Sequence, residues 1–155
     1  MKHLFYVAVV ALLSLTACTH EATTLKSSAD YMIIGPGGGM RPPIATYYYL
    51  SPTQLLADTT VSLGAIPTAL SGFSFYTTMP TAKFTAMGNI LNEIPASVLL
   101  LNHSEIGVSH TAVDGGYTVV MTKIGSTLYD WKFHDDQSTS STEIQAFVNK
   151  VRMVF

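Results

Sequence analysis

One cysteine stands in a chain of 155 residues, and it follows directly on a short apolar run. Leu4 to Leu15 (LFYVAVVALLSL) is apolar apart from Ser14, behind the basic start Met1-Lys2-His3. Twelve such residues rise roughly 18 Å as a helix, well short of a hydrocarbon core of about 30 Å. The run therefore reads as the hydrophobic region of an export signal, not as a membrane span. A lone cysteine cannot close an internal disulfide, and it excludes the Cys-rich zinc scaffolds. Only 8 Lys plus Arg and a net charge of −2 leave no basic face to neutralise phosphates, which argues against a nucleic-acid partner. With 48% hydrophobic and 12% charged residues, the chain is not of the disordered class. Its length fits one domain.

Leu15-Thr16-Ala17-Cys18 resembles the bacterial lipobox, in which small residues admit a peptidase and the cysteine thiol accepts lipid. The resemblance implies a signal peptide over 1–17, cleavage before Cys18, and a mature chain of 138 of the 155 residues. Several acyl chains on one cysteine, at about 0.8 kcal/mol per buried methylene, anchor a protein stably. In Gram-negative lipoproteins the next residue directs sorting. Thr19 is not the Asp of inner-membrane retention, so the expected address is the periplasmic face of the outer membrane. Thr19 to Ala29 (THEATTLKSSA) is polar, so 18–29 reads as a lipidated N-terminus and tether. The domain is 30–155.

The domain reads as all-β. Thr, Tyr, Val, Ile and Phe are frequent, with Gly/Pro/Asn/Asp breaks between short runs. Strands are predicted at Tyr31–Ile34, Ile44–Leu50 (IATYYYL), Thr59–Leu63, Phe73–Thr78, Ile106–Val113, Tyr117–Ile124 and Leu128–Phe133. Gly35 to Pro43 reads as a loop. Ser51-Pro52-Thr53-Gln54 has the form of a capping box with Pro at the first helical position, predicting a short helix over Pro52–Asp58 after the second strand. Asp114-Gly115-Gly116 predicts a tight hairpin turn between the strands beside it. Thr81 to Ser97 gives no clear period. Glu143 to Phe155 reads as a hairpin across Asn149-Lys150, with a helix from Thr142 as the alternative. The sum is a β-sandwich.

No motif assembles a catalytic or metal site. Gly35–Gly39 lacks the Gly-Lys-[Ser/Thr] of a phosphate loop and runs into Pro42-Pro43, which have no N–H to donate. Ser109 and His110 on one strand point to opposite faces. His103, Glu105, His110, His134, Asp135 and Asp136 show no ligand spacing. Trp131 reads as core. In Tyr47-Tyr48-Tyr49 one face is expected to be buried. The other, with Tyr47 and Tyr49, would present an aromatic surface suited to a protein partner.

Taken in order, these features resemble the outer-membrane lipoprotein of type VI secretion systems (the TssJ family). The features are the lipobox, a short first strand at Met32–Ile34, a loop of turn residues at Gly35–Gly39 and Arg41-Pro42-Pro43 opening a strand that ends Tyr48-Tyr49-Leu50. Leu55-Leu56-Ala57-Asp58 and Leu63 follow, then Val119-Val120 and, about twelve positions on, Trp131-Lys132. The resemblance implies a transthyretin-like or immunoglobulin-like sandwich. The implied role is non-enzymatic and needs no cofactor: an anchor that binds the periplasmic part of an inner-membrane secretion subunit. The partner-binding positions it implies are Gly37, Gly38, Gly39, Met40 and Arg41, extended by the Tyr47/Tyr49 face. Two other roles stay open on the residues alone, a pilotin or assembly lipoprotein of another envelope machine and a small-ligand or peptidoglycan-binding lipoprotein.

Overall fold

The computed structural model describes residues 30–38, 43–87, 90–109 and 115–155. The expected signal peptide 1–17, Cys18, the expected tether to residue 29, and Asp114 of the predicted turn lie outside the described residues. The described elements follow in the order β1 (Tyr31–Gly38), β2 (Ile44–Leu50), β3 (Leu55–Ser62), β4 (Thr77–Thr78), α1 (Thr81–Met87), α2 (Ala96–Leu99), β5 (Ser104–Ile106), β6 (Gly116–Ile124), β7 (Thr127–His134) and α3 (Thr142–Arg152). No helix among the described residues is long and apolar enough to cross a membrane. Of the expected all-β fold the β-rich part holds, but the chain also forms helices that pack on the sheet. All seven strands join one sheet, in the order β4-β3-β2-β1-β6-β7-β5, with α1, α2 and α3 on one of its faces.

β1 is the middle of that sheet, and it is longer than its sequence suggests. Gly35 to Gly38 continues the strand, pairing residue by residue with β6 from Tyr31↔Lys123 to Gly38↔Gly116. The glycines are there because tyrosine rings lie on them. A Cβ on Gly35 would stand 2.2 Å from the Tyr47 ring, and one on Gly37 would stand 2.2 Å from the Tyr117 ring. Pro36, which cannot donate, is tolerated because pairing to β2 ends at Ile34↔Tyr48. The carbonyl of Pro36 accepts instead from the Tyr47 hydroxyl at 2.7 Å.

Two cores sandwich the sheet. Met32, Ile34, Leu50, Val120, Trp131 and Phe133 point to one face and meet Met87, Ile90, Val98, Phe147 and Val151 of the helical layer. Ile33, Tyr47, Tyr49, Leu56 and Val119 point to the other and meet Phe73 and Phe75. Trp131 is core, as expected. Asp58, buried at the end of the alternation in β3, fastens this second cover. One carboxylate oxygen accepts from Thr60 N and Oγ1 (2.8 and 2.7 Å), the other from Ser74 N at 2.6 Å.

Several expectations are corrected. Pro52–Asp58 is not a helix. Ser51 to Gln54 closes a hairpin turn (Ser51 N to Gln54 O, 3.0 Å) and β3 follows. Leu55, Leu56, Ala57 and Asp58 are all buried, which a strand between two covered faces achieves and a two-turn amphipathic helix does not. Of Phe73–Thr78, only Thr77–Thr78 pairs. The strand at Ile106 does not form a hairpin with β6. Its described part, β5, runs parallel to β7 at the outer edge. The C-terminal segment is the helix α3, not a hairpin. Ile144, Phe147, Val148 and Val151 are buried at helical spacing, Ser141 caps Ile144 N, and Lys150 and Arg152 sit in the last turn where the helix dipole favours cations.

Near both edges of the sheet, side chains or short segments extend the ladder past the short outer strands. The amide of Asn102 takes the place of a peptide group beside β7, donating to Leu128 O and accepting from Asp130 N, each at 3.2 Å. At the opposite edge Met79 N donates to Leu55 O at 2.9 Å. We expect Gly35→Ala to destabilise the fold by about 1–3 kcal/mol through overpacking against the fully buried Tyr47 ring. Gly37→Ala should cost less, because the Tyr117 ring is only partly buried and can swing aside. Urea unfolding of the two variants checks the order.

Candidate functional site

The residues singled out by sequence divide between surface, core and undescribed segments. Gly37 and Gly38 form the last two residues of β1, against Tyr117 and Gly116, rather than a loop. Gly39, Met40 and Arg41 lie outside the described residues, as does Cys18. Tyr47 and Tyr49 are 0% and 2% exposed, so they offer no aromatic surface to a partner. The reason is the segment after β3. Its Phe73 and Phe75 lie 5.4 Å from the rings of Tyr47 and Tyr49 and cover the side of β2 that was expected to face solvent. Tyr49 also stacks on Tyr31 at 5.5 Å, and burial pushes both of those phenols up from their ordinary values.

That cover stops short of β7, and a groove of about 590 Å³ opens where it stops. Its floor is Ile33 of β1 with Val119 and Met121 of β6, neighbours by register through Ile33↔Met121. One wall is the segment Ile66 to Leu70. The other is Leu128, Asp130 and Lys132 of β7, opposite Lys123, Met121 and Val119. Tyr117 also lines the groove, and its ring rests on Gly37 and Gly38. The groove and the end of β1 therefore share one side chain. A second cavity of about 430 Å³ opens beside Asp30, Ser51, Phe84 and Asn92.

Charge at the groove is paired. Glu105 on β5 is held by two neighbours on β7, Lys132 Nζ at 2.9 Å and His134 Nε2 at 2.9 Å. With the carboxylate ionised, the His134 ring N–H is the donor. Lys132 also lies over the Tyr117 ring, 5.6 Å from its centroid. His103 Nδ1 pairs with Asp130. The hydrogen bond from Lys132, then that from His134, holds the Glu105 carboxyl below the usual range, and Glu105 in turn raises Lys132. Among the described residues no group of three or more His, Cys, Asp or Glu stands close enough to hold a metal ion. Of the residues weighed as ligands, Glu105 and His134 do come together. Arg152 of α3 reaches Asp135, so that residue belongs to a helix-to-strand clamp.

The groove could have been found from a signal already in the sequence. Tyr117, Val119 and Met121 alternate on one face of a confidently predicted strand, and Leu63 to Leu70 carries apolar residues without a strand period. What the chain does not spell out is where the cover ends. Compared with known proteins, the chain matches no family model, no curated protein and no solved structure.

The pair at Glu105 sets a pH dependence with a definite sign. A depressed carboxyl adds stability above the ordinary glutamate range, lost as pH falls through the folded value. A raised lysine adds stability below the ordinary lysine range, lost as pH rises through the folded value. Each partner is about half exposed, so the contribution is at most about 1 kcal/mol. Glu105→Gln should therefore lower the unfolding free energy slightly at pH 7. It should match the parent once the pH is well below the glutamate range, as pH-dependent denaturation would show.

Proposed function

We propose that this chain is an outer-membrane-anchored structural lipoprotein of a cell-envelope secretion machine, resembling that of type VI secretion, and that it works by binding the periplasmic part of an inner-membrane subunit. The observation that carries the reading is the position of the only cysteine, Cys18, directly behind an export-type apolar run and a Leu-Thr-Ala approach. The β-rich domain that follows after a short polar stretch supports it. The sandwich of the transthyretin-like kind belongs to the same proposal. Its support is the antiparallel run β3-β2-β1-β6-β7, while the described cover on one face is helical.

The partner contact is placed at the far end of β1, where Gly37 and Gly38 lead into Gly39, Met40 and Arg41. Arg41 is one of two arginines in the chain, and arginine is enriched among interface anchors. The other, Arg152, is committed to the carbonyl of His134 at 2.7 Å. Ordering a glycine-rich segment costs about 1–2 kcal/mol per residue, so the contact must extend past it, and Tyr117 is the neighbouring side chain. The expected outcome is that Arg41→Glu weakens capture of the inner-membrane partner's periplasmic domain at least tenfold with an unchanged unfolding midpoint. Equal capture by the variant removes this segment from the interface. Cys18→Ser should shift the protein out of the outer-membrane fraction.

A second reading, a ligand-binding lipoprotein, is favoured by one observation. The groove beside Tyr117 has a volume within the range of small-molecule sites.

A further inference from the structure

We infer that the groove between Ile66–Leu70 and β7 holds a long acyl chain, and that the chain it holds is one carried by the protein's own Cys18. The inference rests on the ligand-binding reading of the groove and, for the source of the chain, on the lipobox.

The class of ligand follows from what the groove lacks. Its floor strands are flanked on both sides, β1 by β2 and β6, and β6 by β1 and β7, so their peptide groups are engaged in the sheet. At the outer wall the Asn102 amide and β5 engage the free side of β7. In the other wall Pro67 has no N–H, and the carbonyls of Ala69 and Leu70 accept from Gly72 and Phe73. The polar side chains of the rim are paired, His103 with Asp130 and Lys132 with Glu105. A peptide or sugar laid on this surface would meet few open partners beyond the hydroxyls of Thr68 and the lining tyrosines, and would bury its remaining hydrogen-bonding groups at a cost for each. An aliphatic chain brings no such groups and gains from every methylene removed from water.

The source follows from where the described chain begins. Tyr31 lines the groove, and Cys18 precedes Asp30 by twelve positions. That stretch can span up to about 40 Å, so a chain on Cys18 reaches the groove with room to spare. A short tether gives an effective concentration on the order of millimolar, which no free lipid in an aqueous compartment rivals. The bilayer competes for the same chain, so the groove is a shelter for the unanchored protein, emptied when a membrane is offered.

The lone cysteine makes the test direct. The mature chain, Cys18 to Phe155, is exported behind an unrelated signal so that its thiol stays free, then alkylated with one hexadecyl maleimide bearing a polarity-sensitive fluorophore at the chain end. In buffer the expected emission is that of an apolar site, at a concentration where the protein is monomeric. Leu128→Glu, at a wall residue 59% exposed and so harmless to folding, should return it to the aqueous value, as should Met121→Glu. Phosphatidylethanolamine–phosphatidylglycerol vesicles should release the groove. Unlabelled mature chain should bind free palmitate one to one, at least tenfold more tightly than Leu128→Glu does. Emission unaffected by either variant overturns the assignment of the Cys18 chain. An absence of saturable palmitate binding overturns the acyl class itself. The lipoprotein reading fails separately, if the intact mass of native protein shows a bare thiol at Cys18.

Discussion

The contact of two tyrosine rings with the glycines of β1 is what the rest of the molecule depends on. β1 is the one strand that must pair with both halves of the sheet. Its first half does so through apolar side chains on two faces, Met32 and Ile34 on one, Tyr31 and Ile33 on the other. Its second half has almost no side chains to bury. Tyr47 supplies what is missing, filling the space over Gly35 and closing the Pro36 carbonyl, and Tyr117 does the same over Gly37 from the neighbouring strand. Glycine in a strand interior is ordinarily weak. Here the weakness is offset by aromatic rings that occupy the space a side chain at 35 or 37 would need. The same geometry fixes the β1–β6 register, and with it the floor of the groove.

How much of this could be read beforehand depends on whether burial was local. The β6–β7 hairpin was legible because Tyr117 to Ile124 and Leu128 to Phe133 are rich in β-branched and aromatic residues and flank Gly125, whose φ of 60° is the left-handed turn position glycine favours. Trp131 as core and β2 as a strand were legible for similar reasons. The glycine run misled because its partner rings come from positions 47 and 117, out of sight of any short window. β3 misled because a capping-box pattern at Ser51–Gln54 also suits a hairpin turn, and only two-sided burial decides between them. The C-terminal helix misled because β-branched and aromatic residues outweighed the spacing of Ile144, Phe147, Val148 and Val151, which packing against Phe133 converts into a helical stripe. The tyrosine face was correct as alternation and wrong as exposure. Nothing near residue 47 announces Phe73 and Phe75.

The site has the same character. The sequence drew attention to the end of β1, and the described structure continues that place into a groove through Tyr117. Outside the β7 wall of the groove lies β5, a three-residue strand carried in from far along the chain and fixed to β7 by Glu105, Lys132 and His134. An isolated parallel pair of this length is a poor element on ladder bonds alone. Its side-chain bridges hold the strand against β7, next to His103, which lines the groove. The shape of this face is therefore linked to the integrity of a very small strand.

The amide of Asn102 carries a last consequence. A sheet whose rim shows unsatisfied peptide groups invites a neighbour's strand, and molecules confined to a surface meet one another far more often than those free in solution. By imitating one residue of a missing strand, a single carboxamide withdraws from such pairing the stretch of β7 that the short β5 leaves uncovered.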